Sequence, residues 1–172
     1  MGYAYEYRKT VSVAGDKPQM VLDHSLRNTG KRVLQTSVYN HNFLYLDRQP
    51  PGPDFSLTVP FKILTSPSPA GTLEKVHENH IAFSKALAGE ERVYLDIRGF
   101  GADPKDYDIR IENRRVGAGV RITADRPLSR FALWAIRAPL SVEPFIDMSI
   151  EPGREFTWRI KYEYYTIPKG GQ

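Results

Sequence analysis

The stretch TSVYNHNFLYLD, residues 36–47, alternates in the manner of a β-strand and carries three adjacent hydrogen-bonding side chains at its centre. Successive residues of a strand point to opposite faces of a sheet, so His41 shares one face with Tyr39 and Phe43. An imidazole between aromatic rings fits a sugar-binding surface, because rings cover apolar C–H faces while the imidazole addresses hydroxyls. The alternative is a structural histidine bonded to a loop carbonyl.

Period-two segments of this kind recur along the whole chain, separated by turns rich in Gly, Pro and Asn. One segment, residues 20–27, ends at Asn28-Thr29-Gly30, which predicts a hairpin loop with residues 33–46 as the return strand. A single helical turn is expected at most, around residues 73–76. Many short strands without a helical stripe predict an all-β fold, an antiparallel β-sandwich, and residues 1–172 are predicted to form one domain.

Composition narrows the classes of function. The chain has 172 residues, no cysteine and a formal net charge of +4. Without thiols, a disulfide framework, a zinc–thiolate site and a cysteine nucleophile are excluded. The basic residues alternate with apolar ones, as in FTWRIKYEYY, so no nucleic-acid partner is expected. We expect no membrane partner either. As written, the chain is expected to be cytoplasmic, or periplasmic or secreted if a leader-bearing part is missing.

A second candidate site residue is Glu143, within LSVEPFIDMSIEPGREF. Alternation places it on one strand face with Ser141, Phe145 and Asp147, although Pro144 could disturb the pattern. The competing interpretation is a solvated surface glutamate.

Histidines elsewhere in the sequence give weaker signals. His24 lies on the apolar face of its segment and is predicted to be buried. His77 and His80 lie close together beside acidic residues, but two histidines without a third ligand make a weak metal signal. No phosphate-binding loop or nucleophile elbow is present, so we expect no cofactor. The two tryptophans, Trp134 and Trp158, are predicted to be core residues.

Two stretches together resemble the aldose 1-epimerases, the galactose mutarotases and their hexose-6-phosphate relatives. LRNTGKRVLQTSVYNHNFLYLD is similar to the family segment that carries the catalytic histidine, with Asn28, Asn40, His41 and Phe43 on its pattern. FALWAIRAPLSVEPFIDMSIEPGREFTWRIKYEYY resembles the family's ending, with Glu143 on the catalytic glutamate. The region between, about residues 50–126, matches only in its β character.

The resemblance implies a galactose mutarotase-like β-sandwich that binds a hexose or hexose derivative and interconverts its anomers. Glu143 would act as general base and His41 as general acid, the two meeting across one sugar cavity. Tyr39, Arg137 and Asp147 are further candidates for contacting the sugar. A non-catalytic carbohydrate-binding module and a purely structural domain remain open as alternatives.

The resemblance covers only the later part of such a protein. The family's earlier arginine and histidine, which hold the sugar, have no counterpart here. A sheet opened at one end would expose strand edges, so self-association through those edges is also expected.

Overall fold

The computed structural model describes residues 2–13, 15–65 and 73–168. Over these residues the chain forms antiparallel strands and two three-residue 3₁₀ turns. No helix in these ranges has the length and apolar character needed to cross a membrane. The strands are β1 (Tyr5–Val13), β2 (Gln19–Asn28), β3 (Leu34–Tyr39), β4 (Asn42–Leu44), β5 (Phe55–Thr58), β6 (Leu64–Thr65), β7 (Glu74–His77), β8 (His80–Phe83), β9 (Arg92–Arg98), β10 (Asp108–Asn113), β11 (Ala118–Ala124), β12 (Arg130–Ile136), β13 (Leu140–Ile150) and β14 (Glu155–Thr166).

The strands build two sheets that pack face to face. One has eight strands in the order β1-β2-β14-β11-β10-β5-β8-β7. The other has the order β3-β13-β12-β9-β6, and β4 continues β3 along the same edge of β13. This is the all-β antiparallel architecture that the alternating sequence predicted, and the prediction of fold class is confirmed.

Strand β13 shows how alternation divides the two faces of the second sheet. Its even-numbered residues from Val142 to Ile150 are buried between the sheets, and Pro144 keeps this alternation intact. Ile160 and Trp158 of β14 belong to the same core from the opposite sheet. The odd-numbered residues of β13 therefore lie on the outer face, which carries the candidate site.

The predicted hairpin after residues 28–30 is wrong. Strand β2 pairs with β1 and β14 in the eight-stranded sheet, whereas β3 pairs with β13 in the other. The chain crosses between sheets at this turn. Local turn composition cannot reveal this, because a crossover and a hairpin both begin with a tight turn.

The predicted helical turn around residues 73–76 is also wrong, because Glu74–His77 forms β7. The preceding residues, 66–72, lie outside the described residues. His77 and His80 pair across the β7–β8 hairpin. Within the described ranges, no group of three or more His, Cys, Asp or Glu side chains could hold a metal ion.

Strand β1 is an outer edge of the eight-stranded sheet, and each of its nine residues is exposed. Its exposed side chains include Tyr5, Tyr7, Val11 and Val13. Unpaired N–H and C=O groups along such an edge can pair with another strand. Self-association through this edge remains a prediction.

His24 is buried, as predicted, and only 4% of it is exposed. Its ring lies flat against Trp158, with centroids 4.6 Å apart, and its Nδ1 is 2.7 Å from the Tyr7 hydroxyl. Nε2 has no hydrogen-bond partner among the described residues. Burial, reinforced by the positive charge of Lys9, lowers the pKa of His24 to about 4.

This depressed pKa predicts an acid-sensitive fold. His24 is neutral in both states above about pH 6.5, so the native state keeps its full stability there. Between pH 6.5 and pH 4 the unfolded chain binds the proton more readily, and stability falls by roughly 3 kcal/mol through this one group. His24→Phe keeps an aromatic ring and removes the titration. Urea unfolding from pH 7 to pH 4 should show a smaller loss in that variant; equal losses would contradict the assignment.

Candidate functional site

His41 lies in a two-residue break between β3 and β4. Its carbonyl accepts a hydrogen bond of 3.0 Å from the Phe43 N–H, which closes a tight turn. The pairing with β13 keeps one register across the break, because Tyr39 is opposite Phe145 and Asn42 is opposite Val142. Continuing that register places His41 directly opposite Glu143.

Pro144 explains why the strand breaks at this point. The Val142 carbonyl accepts a hydrogen bond from Asn42 Nδ2, so it faces the β3–β4 edge. Backbone groups two residues apart in a strand point to the same side, so position 144 faces this edge too. Proline has no N–H to donate there. The segment opposite is free to turn, and His41 is at that position.

The two asparagines beside His41 anchor the break to the opposite sheet. The Tyr162 hydroxyl of β14 donates a 2.6 Å hydrogen bond to Asn42 Oδ1, and the oxygen of that hydroxyl accepts a 3.0 Å hydrogen bond from Asn40 Nδ2. Burial raises the pKa of Tyr162, so its phenol stays protonated and can donate. The polar side chains of Asn40 and Asn42 interrupt the apolar alternation here because their hydrogen bonds to Tyr162 hold the backbone on either side of His41.

We expect Tyr162→Phe to destabilise the fold by about 1–3 kcal/mol, because Asn40 and Asn42 each lose a partner in a largely buried setting. Urea unfolding measures the effect. Tyr164→Phe on the same strand removes an exposed hydroxyl and is the matched control. Equal stability of the two variants would exclude the anchoring role.

The imidazole and the carboxylate meet on the outer face of the second sheet. His41 Nε2 is 3.2 Å from Glu143 Oε1, and their side chains are 36% and 13% exposed. His41 Nδ1 is 2.7 Å from the hydroxyl of the buried Ser141. Phe43 stacks on the imidazole with centroids 4.1 Å apart, and Trp134 meets it edge-on at 5.7 Å. Both polar atoms of the ring are thus engaged, and its plane is held by aromatic contacts.

A second row of side chains runs beside the pair. Tyr39 stacks on Phe145 with ring centroids 4.3 Å apart, and the guanidinium of Arg130 lies over the Phe145 ring, 5.1 Å from its centroid. Arg130 also donates a 2.7 Å hydrogen bond to the Tyr94 hydroxyl and lies 3.6 Å from Asp96. An aromatic surface with a positive and a negative group at its far side therefore adjoins the acid–base pair.

Asp96 lies in line with Glu143 across the sheet, on the strand beyond β12. Glu143 is opposite Ala132 on β12, and Ala132 is opposite Asp96 on β9. Two strand spacings separate the two acidic positions, about 10 Å between backbones. Ala132 between them is fully buried, so neighbouring side chains cover the sheet between the two acidic positions.

The remaining predicted site residues lie at different distances from the pair. Tyr39 is adjacent, with its ring centroid 6.2 Å from that of His41. Asp147 is on the same face of β13 but four residues beyond Glu143, about 13 Å along the strand. It lines a shallow depression with Ser37 and Ser149. Arg137 is exposed in the turn between β12 and β13. The structure thus brings only Tyr39 beside the pair.

Sequence reasoning missed several neighbours of His41. Trp134, predicted to be core, is partly exposed on the outer face and touches the imidazole. Strand β12 is apolar on both faces, so its alternation does not say which face is buried. Arg130 and Asp96 gave no signal, because each resembles an ordinary solvated strand residue until the strand order is known.

Comparisons with known proteins bear on the fold. No protein-family model matches the chain, and neither does any curated protein. Among solved structures, the GalM/aldose epimerase homologue from C. elegans is similar with a TM-score of 0.65 and 14% identity, covering 95% of this chain and 60% of that one. A putative aldose 1-epimerase from Escherichia coli K12 gives 0.66 and 12%, covering 96% and 62%. A galactose mutarotase related enzyme from Lactobacillus acidophilus gives 0.63 and 13%, covering 99% and 64%.

The chain therefore has the galactose mutarotase-like β-sandwich fold, and the resemblance seen in the sequence is confirmed at this level. It spans roughly three fifths of the length of the solved structures it matches. At these identities the likeness concerns the fold alone, and the chemistry has to be argued from the site.

Proposed function

We propose that this chain is an aldose 1-epimerase-like protein that interconverts the anomers of a hexose or hexose derivative. The observation that carries the proposal is the 3.2 Å contact between His41 Nε2 and Glu143 Oε1 on an open, aromatic-bordered sheet face. The two residues are remote in sequence, with His41 in the break between β3 and β4 and Glu143 on the neighbouring strand β13. A proton donor and a proton acceptor at this separation can address two oxygens attached to one carbon.

The reaction needs one proton removed and another supplied. Glu143, as carboxylate, takes the proton of the anomeric hydroxyl, and the oxygen's electron pair forms the aldehyde C=O. The bond between the anomeric carbon and the ring oxygen breaks, and the ring oxygen takes a proton from the His41 imidazolium. Rotation about the adjacent C–C bond presents the other face of the aldehyde. Reversal of both proton transfers closes the ring as the other anomer.

The groups around the pair suit a sugar. Exposed rings of Phe43 and Tyr39 offer apolar faces for C–H groups, and Asp96 with Arg130 offers an acceptor and donors for hydroxyls. Each proton-transfer group of this kind typically contributes about 10²- to 10⁴-fold.

A carbohydrate-binding module without turnover is the second candidate. It is favoured by one observation, the exposure of the Phe43 and Tyr39 rings on the outer face of the second sheet. An open sheet face with exposed aromatic rings can hold a sugar without completing a catalytic site. In that case the pair would orient hydroxyls and transfer no proton.

Mutarotation of freshly dissolved α-glucose and α-galactose, followed by polarimetry or NMR, tests the proposal. Acceleration above the buffer rate supports the enzyme. A buffer rate with every sugar of a panel, including hexose 6-phosphates, would reject it for this chain. Sugar-induced chemical-shift changes at His41 without acceleration would favour the binding module.

A further inference from the structure

Ser141, near the start of β13, contacts the ring nitrogen of His41 that does not face Glu143. It lies two positions before Glu143 on the same strand face and is completely buried. Its hydroxyl is 2.7 Å from His41 Nδ1. One strand thus supplies a partner to each nitrogen of the imidazole, and the carboxylate and the hydroxyl are fixed relative to each other by strand geometry.

Aromatic packing alone does not settle which way the imidazole faces. Phe43 stacks on its plane and Trp134 touches its edge. Both contacts restrict the tilt of the ring. A half-turn about the Cβ–Cγ bond, however, keeps the ring in the same plane and exchanges each nitrogen with a carbon. Hydrogen bonds decide between those two orientations, and the hydroxyl at Nδ1 selects the one that directs Nε2 to Glu143.

We propose that Ser141 is a positioning residue that keeps the transferable proton of His41 on Nε2. This proposal rests on the proposed function, since it concerns the general acid of that reaction. When the imidazole is neutral, the carboxylate of Glu143 can only accept, so Nε2 carries the proton and Nδ1 needs a donor. When it is an imidazolium, Nδ1 carries a proton and needs an acceptor. A serine hydroxyl fulfils both roles by rotating.

Other buried side chains would serve only one of these states. A carboxylate at this position can accept but not donate, and an alkyl group can do neither. The hydroxyl therefore lets His41 release and regain its proton without a buried nitrogen losing its partner. Such a group raises turnover rather than affinity, because sugar does not touch it.

The proposal is tested with ¹⁵N-labelled protein, by the ¹⁵N shifts of the His41 ring at alkaline pH, where the two neutral tautomers are distinguishable. Wild type should show the Nε2–H tautomer. Ser141→Ala and the nearly isosteric Ser141→Cys should show a mixture of tautomers, because without the hydroxyl the ring can make the half-turn that takes Nε2 away from Glu143. Turnover should fall by about 10- to 100-fold with KM nearly unchanged. Ser141→Thr, which keeps a hydroxyl, should restore the wild-type tautomer.

Ser149→Ala is the control, since it removes an exposed hydroxyl from the same face of β13. Amide NMR spectra identify variants that fold. If Ser141→Ala misfolds, Ser141→Cys carries the test. An unchanged Nε2–H tautomer in a folded variant without the hydroxyl would overturn the proposal. Should wild type fail to accelerate mutarotation, the shifts still decide the role of Ser141, and only the proposed function falls.

Discussion

Glu143→Gln should slow mutarotation by at least about a hundredfold while leaving the fold intact. The amide has nearly the shape of the carboxylate, but it cannot take a proton from the anomeric hydroxyl. The substitution also replaces the carboxylate that lies 3.2 Å from His41 Nε2 with an amide. Polarimetry with saturating sugar measures the loss. Glu151→Gln, the same change in the exposed turn after β13, is the matched control and should turn over normally.

His41→Ala should show a loss of the same size, because the ring oxygen then receives no proton from the protein. Combining both changes should cost little more than either alone, since the two groups act in one concerted step. His77→Ala on the exposed strand β7 controls for loss of a histidine elsewhere. Normal turnover in either single variant would remove that residue from the mechanism, and multiplicative losses would mean that the two act independently.

The sequence allowed much of the outer face of β13 to be predicted. Alternation around Glu143 correctly placed Ser141, Phe145 and Asp147 on one face, in spite of Pro144. The same reasoning correctly predicted that the His41 side chain points to the sheet face opposite that of Asn40 and Asn42. These predictions succeed because side-chain direction in a strand is a local property with a period of two.

The neighbours of the pair could not be predicted, because they depend on strand order. Tyr162 comes from the opposite sheet, and Arg130 comes from a strand whose position beside β13 is a tertiary property. The crossover between β2 and β3 likewise follows from which sheet each strand joins. Long-range pairing of this kind is set by how all the apolar faces are buried together, and no local pattern encodes it.

Asn28 is the residue that ties this long-range arrangement together. It is completely buried at the end of β2, where the chain leaves one sheet for the other. Its Nδ2 donates to the carbonyls of Arg32 and Ile150, each at 2.8 Å, and its Oδ1 accepts from the Gly30 N–H at 2.9 Å. It therefore joins the crossover that leads to His41 with the end of the strand that carries Glu143.

Asn28→Asp is expected to destabilise the protein by about 3–5 kcal/mol. The two carbonyls lose their donor, each at a cost of about 1–3 kcal/mol, and a negative charge is left among carbonyl oxygens. Burial should raise the pKa of the introduced carboxyl, so acidification should restore part of the loss as it becomes a donor again.

Urea unfolding at neutral and mildly acidic pH measures both effects of Asn28→Asp. Asn79→Asp makes the same change where one exposed amide donates to the Val59 carbonyl, and it should cost less than about 1 kcal/mol. Asn28 is buried and donates to two carbonyls, whereas Asn79 is exposed and donates to one. The difference in stability between the two variants therefore measures what the buried amide at the crossover contributes. Similar costs at both positions would mean that the two sheets hold their relative placement without Asn28.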